Sequence, residues 1–413
     1  MKDLSINQVC RICKSNKLTL VFKFGPQPLA NAFLKSQRDF QSEKYYPLNV
    51  YFCRNCHLLQ LIDIVSPKVL FKDYVYVSST SPLFIKHFEE FARKIVERFS
   101  LKKTSLVIDI GSNDGILLKP YHKLGIQVLG IEPSENVAQI ARNNSINTIT
   151  DFFSLLLTDK IINSYGRAEI ITATNVFAHI NDIDEVAKGV YNLLDTNGVF
   201  ILEVPYLIDF LDKNLFDTVY HEHISYFSLT PLLTFFKGWQ MRIIDVERVS
   251  THGGSLRVFV TKENSTHKIS SLVNKLLKYE KSKKLTNLST YHQFAQRVEI
   301  NKLALTELLS QLKQKNKRII GYGAPAKGNT LLNYFGINTQ YLDYIVDDSE
   351  FKHNLFTPGS HIQVRSSRFL SIQKPDYILI LAWNFAKTIM DKYAYLRNKG
   401  VKFILPVPSP KII

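Results

Sequence analysis

No run of about 18 apolar residues occurs in this 413-residue sequence, so no segment reads as a membrane-spanning helix. The longest apolar stretches, such as Tyr377–Trp383, have the length of buried strands. The opening MKDLSINQVCRICKSN lacks the apolar core of a secretory signal, and the expected location is the cytoplasm. There is no short-period repeat. There is no strong coiled-coil heptad either, and a monomer is expected. Acidic residues are in deficit, 36 against 52 basic, for a net charge of +16. That balance favours an anionic partner, either nucleic acid or a phosphorylated small molecule. The surplus is mostly scattered lysine, densest over Lys262–Lys317. A solvated helical face explains it more simply than a nucleic-acid groove. The apolar share of 45% is too high for intrinsic disorder, and the length suits two or three domains.

Cysteine is scarce and concentrated. The four are Cys10, Cys13, Cys53 and Cys56, arranged as CRIC and CRNC. Two CxxC knuckles offer four thiolates to a tetrahedral zinc ion. Disulfides are the weaker account in a chain without a secretion signal. Four sulfur ligands leave no open position, so the zinc would hold a fold and activate no water.

Residues 1–75 read as the zinc module. They include the loop GPQPLANAF and the aromatic-rich YYPLNVYFC. After the polar segment KDYVYVSSTSP, an amphipathic helix is expected over about 83–99, burying Phe84, Phe88, Phe91 and Ile95. The runs LVIDI, VLGIE, EIITATN and GVFILEVP then alternate with helical patterns, as in a doubly wound α/β sheet. MRIIDVERV and SLRVFVTK flank THGG as a closing antiparallel pair, ending a second domain over 76–263. Residues 264–413 read as helices over 264–315 and then a second α/β unit, with strands in RIIGYG, YLDYIVDDS and DYILILAWN.

The dinucleotide fingerprint GxGxxG is missing. In its place stands LVIDIGSNDGILL, a strand, a glycine turn and a helix. Asp109 ends the strand, Gly111 and Gly115 permit close approach, and Asn113 and Asp114 lie between them. Glu132 ends the next strand 21 residues after Gly111, where an acid can bind ribose hydroxyls. This pattern suits S-adenosylmethionine better than a dinucleotide, with Asp109 toward the methionine amino end. Asn175, at the end of the fourth strand, is a further cofactor candidate.

Two polar clusters suggest chemistry. TATNVFAHIND places His179 just past a strand end, where ligands bind in open α/β sheets. FDTVYHEHISYFS carries Tyr220, His221, Glu222 and His223 in succession. On a strand Tyr220 and Glu222 share a face; on a helix Tyr220 and His223 do. Burying all four is costly unless they are paired, so the cluster is either exposed or an active site. In THGGSLR, a hairpin accounts for the glycines, and Arg257 is a candidate for reaching an anion.

These clusters, with GSNDG, the paired CxxC, PLAN, YVYVSSTS, EVPY, HGGSLRV and GYGAPAKGNT, resemble the sugar C-methyltransferase family across essentially the whole chain. The resemblance implies a small four-cysteine zinc module, a class I Rossmann-like S-adenosylmethionine domain and a C-terminal Rossmann-like domain. It implies a nucleoside-diphosphate keto-deoxysugar substrate, methylated at C3 beside a C4 ketone through an enediolate. By the same resemblance, His223 is the base, Tyr220 and Glu222 position it and the substrate, and His179 stabilises the enolate oxygen. A tyrosine of DYVYVSSTS also enters the site. Tyr74 is the better match for the catalytic position and Tyr76 is then assigned to substrate, a choice the sequence leaves open. The C-terminal loop offers backbone amides, Lys327, Asn329 and a helix N-terminus to the diphosphate. The competing reading is an RNA-binding or RNA-modifying methyltransferase, for which Phe22 and Phe24 around Lys23 are the one hint in the zinc module.

Overall fold

The computed structural model describes residues 3–70, 79 and 82–413. Its architecture is mixed α/β, built on three main sheets. The central sheet has seven strands in the order Met241–Val249, Ser255–Lys262, Leu194–Pro205, Ala168–Thr174, Leu106–Ile110, Gln127–Ile131 and Thr148–Ile149. The last five run parallel. The pair flanking THGG closes the sheet antiparallel, as the sequence implies. Helices cover both faces, which is why Val107, Ile108, Leu129, Ile171 and Ile201 are fully buried and the strands read as continuous apolar runs.

From Leu106–Ile110 the chain winds outward in one direction, then returns to Ala168–Thr174 on the other side. The crevice of the sheet therefore opens beyond Ile110 and Thr174. The helix Pro82–Phe99 packs Phe88, Phe91 and Ile95 onto the sheet, as its periodicity predicts.

The N-terminal sheet is antiparallel and four-stranded, in the order Ser225–Tyr226, Leu59–Leu61, Tyr45–Cys53 and Leu18–Pro28. Its edge strand, Ser225–Tyr226, comes from far along the chain and directly follows the YHEH segment. Phe22 and Phe24 are buried here, their rings 5.4 and 4.7 Å from that of Tyr334. The aromatics that hinted at RNA stacking are core residues joining this sheet to the C-terminal unit.

That unit follows the helices Ser271–Ser282 and Leu288–Gln314. Its six-stranded sheet runs Val364–Ser366, Ile345–Asp347, Ile319–Tyr322, Tyr377–Ile380, Lys402–Leu405 and Lys411–Ile412, with only the last strand antiparallel. The switch in strand order falls beside Tyr322, where GYGAPAKGNT begins. Among the described residues no helix is long and apolar enough to cross a membrane.

Candidate active site

A cavity of about 1530 Å³ lies where the three units meet. On one wall, Asp109, Gly111, Asn113, Glu132 and Asn175 line the end of the central sheet. His179, Tyr220, Glu222 and His223 line the same cavity. The C-terminal unit contributes Tyr322, Gly323 and Lys327, and the N-terminal module contributes Asn31.

The cofactor wall follows from its backbone. Gly111 has φ +69, and a Cβ there would lie 2.6 Å from Val176 Cγ2, so only glycine makes the turn. Asn113 and Asn175 are left-handed, at φ +50 and +58, a conformation that asparagine tolerates. Burial raises the Asp109 carboxyl to about 7, against a 2.6 Å hydrogen bond donated by the Thr172 hydroxyl. Glu132 accepts backbone N–H bonds from Asn113 at 3.0 Å and Ser134 at 2.9 Å, and burial pushes its pKa up. Asn175 Oδ1 is buried without a partner among the described residues. A glycine cradle, two buried carboxyls and an unmet acceptor are a donor set that fits S-adenosylmethionine. Asp114 and Gly115 are not part of this wall. Asp114 accepts from the Ser79 amide at 3.1 Å, and Gly115 packs on Ile146.

The YHEH residues lie in a turn, neither strand nor helix. His221 is buried away from the cavity, its Nε2 against the carbonyls of Tyr46 and Pro47 at 3.3 and 3.2 Å. Burial depresses it to about 4. It shares no metal-sized cluster with His223; among the described residues that geometry belongs to the four cysteines. Glu222 accepts from Asn31 Nδ2 at 2.6 Å, and burial raises it to about 7. His223 Nδ1 lies 2.8 Å from the Thr218 carbonyl, which can only accept, so that nitrogen carries the proton. Nε2 is then the lone-pair nitrogen, 2.8 Å from the Tyr220 hydroxyl. Burial, with Lys327 adding to it, lowers His223 to about 4, so the ring is neutral at pH 7. The His179 and His223 rings are 4.9 Å apart.

Lys327 reaches in from the first turn of the helix Ala326–Phe335 in the C-terminal unit. Its ammonium donates to Asn384 Oδ1 at 2.5 Å and lies 4.1 Å from the Trp383 ring centre. Burial lowers it to about 8, against the pull of Asp217. Asp217 accepts from Trp383 Nε1 at 2.5 Å. Asn329 does not line the cavity. It is fully buried and donates to the Ala30 carbonyl at 2.7 Å, which holds the PLAN loop and hence Asn31 under Glu222. Tyr74 and Tyr76 lie outside the described residues. Arg257 reaches no external anion: it pairs with Glu203 at 2.8 Å and Glu247 at 3.1 Å inside the sheet. Sequence reasoning missed Asn31, Thr172, Asp217 and Trp383. All four sit inside quoted segments, and that was their only signal.

The cysteine Sγ atoms all lie within 4.8 Å of one another, with Cys10–Cys56 and Cys13–Cys53 at 3.5 Å. Sulfurs around tetrahedral zinc stand about 3.8 Å apart, from a Zn–S bond of about 2.3 Å. Both knuckles fold alike, with Lys14 N–H to Cys10 O and His57 N–H to Cys53 O, both at 3.0 Å. The four thiols therefore fit a structural zinc site.

Three family models match the chain in series. They are a putative zinc binding domain at residues 10–71, a methyltransferase domain at 84–245 and a C-methyltransferase C-terminal domain at 250–408. The ubiquinone biosynthesis O-methyltransferase of Pelagibacter ubique is 23% identical over 30% of this chain and 52% of its own length. A solved S-adenosylmethionine-dependent methyltransferase from Clostridium acetobutylicum is 16% identical, covering 43% of this chain and 92% of that one at a TM-score of 0.35. C-methyltransferase NovU of Streptomyces niveus is 37% identical over 98% of this chain and 96% of its own. A likeness that runs through the zinc module, the methyltransferase sheet and the C-terminal unit alike places this chain in the family of S-adenosylmethionine-dependent C-methyltransferases.

Proposed function

We propose that the chain methylates a nucleoside-diphosphate keto-deoxysugar at C3, beside a C4 ketone, through an enediolate raised by His223. The observation that carries this reading is the neutral His223 imidazole, its Nδ1–H committed to Thr218, facing a cavity shared with the cofactor wall. A ketone acidifies the proton on the neighbouring carbon, and an imidazole neutral at pH 7 has a lone pair to take it; a placed general base is worth roughly 10²–10⁴-fold, and the lowered proton affinity of His223 sets it toward the lower end. In the resting geometry the Tyr220 hydroxyl occupies the Nε2 lone pair. Substrate entry turns that hydroxyl to a sugar oxygen and frees Nε2 to take the C3 proton. His179, beside His223, donates to the enolate oxygen. S-adenosylmethionine, held by Asp109, Glu132, Asn175 and the Gly111 turn, supplies an electrophilic methyl group when bound. Glu222, at about 7, can donate to or accept from a sugar hydroxyl. Lys327 and the Gly323 turn serve the diphosphate, whose charge would keep the buried ammonium protonated.

The test is proton exchange in D₂O with S-adenosylhomocysteine present and no methyl donor. dTDP-, GDP- and CDP-linked 4-keto-6-deoxyhexoses form the panel. Loss of the C3 proton signal with wild-type enzyme and its persistence with His223→Asn is the expected result. Equal exchange in the variant removes His223 as the base. No exchange on any panel sugar overturns the substrate class.

A further inference from the structure

We infer that Arg11, inside the first cysteine knuckle, is a positioning residue that holds the His179 and His223 segments in register with each other. The inference rests on the roles proposed above for those two histidines. Arg11 lies between Cys10 and Cys13 and is 2% exposed. Its Nη1 donates to the Ile224 carbonyl at 2.8 Å and to Ser225 Oγ at 3.1 Å. Its Nη2 donates to the Leu61 carbonyl at 3.1 Å, and both Nη2 and Nε reach Asn181 Oδ1 at 3.3 Å. Ile224 directly follows His223, and Asn181 lies two residues beyond His179. One planar guanidinium therefore spans both segments and the zinc-module strand between them.

The chemistry of the contacts sets this group apart from an ordinary buried ion pair. Among the described residues its hydrogen-bond partners are carbonyl, amide and hydroxyl oxygens, with no carboxylate. A buried cation whose hydrogen bonds go only to neutral oxygens is costly, even with the Cys10 sulfur nearby to offset part of its burial, and an apolar side chain would fill the same volume without that cost. The fork geometry of arginine is what joins acceptors on separate segments. The anchor is itself rigid. The Arg11 amide donates to Gln60 Oε1 at 3.1 Å, and the knuckle closes around the candidate zinc ligands. Backbone bonds bring the same segments together, Ile224 N–H to Ala178 O at 2.9 Å and Leu61 N–H to Ile224 O at 3.0 Å. Arg11 adds the side-chain lock on that junction.

The experiment uses full-length, zinc-loaded Arg11→Met, Arg11→Lys and Asn181→Leu, with His223→Asn as control. Rates are counted per S-adenosylmethionine-binding site, with the panel sugar that wild-type enzyme turns over. The ¹⁵N signals of His223, assigned through His223→Asn, report its tautomer without any substrate. Arg11→Met is expected to keep its zinc and to keep cofactor affinity within about threefold. Its kcat should fall about 100-fold with the sugar KM little changed, as a misplacement near 1 Å would do. The single Nδ1–H tautomer of His223 should give way to a mixture. Arg11→Lys should recover part of kcat, and Asn181→Leu should show a smaller fall. An unchanged kcat or an unchanged tautomer in Arg11→Met overturns the inference. If that variant does not fold, unchanged kcat and tautomer in both Arg11→Lys and Asn181→Leu overturn it. If no panel sugar turns over, the tautomer decides. An inactive His223→Asn beside a fully active Arg11→Met removes the clasp alone, whereas activity in both removes the proposed base as well.

Discussion

Buried titratable groups of opposite sign give this site its pH behaviour. Burial holds Glu222 and Asp109 at about 7. In the unfolded chain these carboxyls ionise near 4, so each weakens the native state as pH rises from about 4 to about 7. His223, lowered to about 4, acts in the other sense. The unfolded histidine binds its proton near 6.5, so the native state loses stability as pH falls from there toward 4. Glu222→Gln keeps an acceptor for Asn31 and removes one of the carboxyls. It should raise Tm at pH 8, by the equivalent of about 1–3 kcal/mol, and change it little at pH 4. Thermal melts at the two pH values check this; an equal shift at both would show that the Glu222 charge is not the cause. Asp109 leads to a binding prediction. If its carboxylate meets the cofactor amino group, S-adenosylmethionine affinity should weaken as pH falls through about 7. Asp109→Asn should flatten that dependence and cost about tenfold in affinity at pH 8. Calorimetric titrations over the range 6–8.5 read both.

At the level of elements, the strand–turn–helix after Leu106–Ile110 was legible because glycine spacing and apolar runs are local signals. Gly111→Ala tests it. Left-handed backbone at alanine costs about 1–2 kcal/mol, and the new methyl would press on Val176. Cofactor affinity should fall at least about tenfold with the fold retained by circular dichroism; normal affinity would place the cofactor elsewhere. The YHEH segment was not legible. It has no periodicity, and its shape comes from tethers to Asn31, to Tyr46 and Pro47, and to Thr218, with an internal bond between Tyr220 and His223. The strand that follows it completes the zinc-module sheet. Cys53→Ser should therefore lose zinc and lower Tm, and it should cost at least about tenfold in turnover while cofactor affinity stays within a few fold. Zinc content, melting and calorimetry separate these effects; full turnover without zinc would uncouple the module from the site.

Across the whole molecule, each unit reaches into its neighbours. Asn329, on the C-terminal unit's helix Ala326–Phe335, holds Ala30, whose neighbour Asn31 holds Glu222. Lys327 on the same helix stands close enough to His223 to lower its proton affinity. Lys327→Ala should raise the KM of a nucleoside-diphosphate sugar about tenfold or more and leave S-adenosylmethionine affinity unchanged. Steady-state kinetics with both substrates varied would show it. A change in cofactor affinity alone would move Lys327 to the other side of the cavity.

Composition, two CxxC pairs and the spacing from Gly111 to Glu132 were enough to point to the α/β class, the candidate zinc ligands and the candidate cofactor turn, because each depends on short local patterns. Tertiary structure alone decided which polar residues share a cavity. His221 and Asn329 sit inside the same motifs as His223 and Lys327, yet point into the protein, where carbonyls from distant loops satisfy them. Arg257 looked free for an anion until the sheet placed Glu203 on the neighbouring strand. A buried polar group takes whichever partner the fold brings within about 3 Å, and partners 54 to 299 residues away leave no local pattern to read.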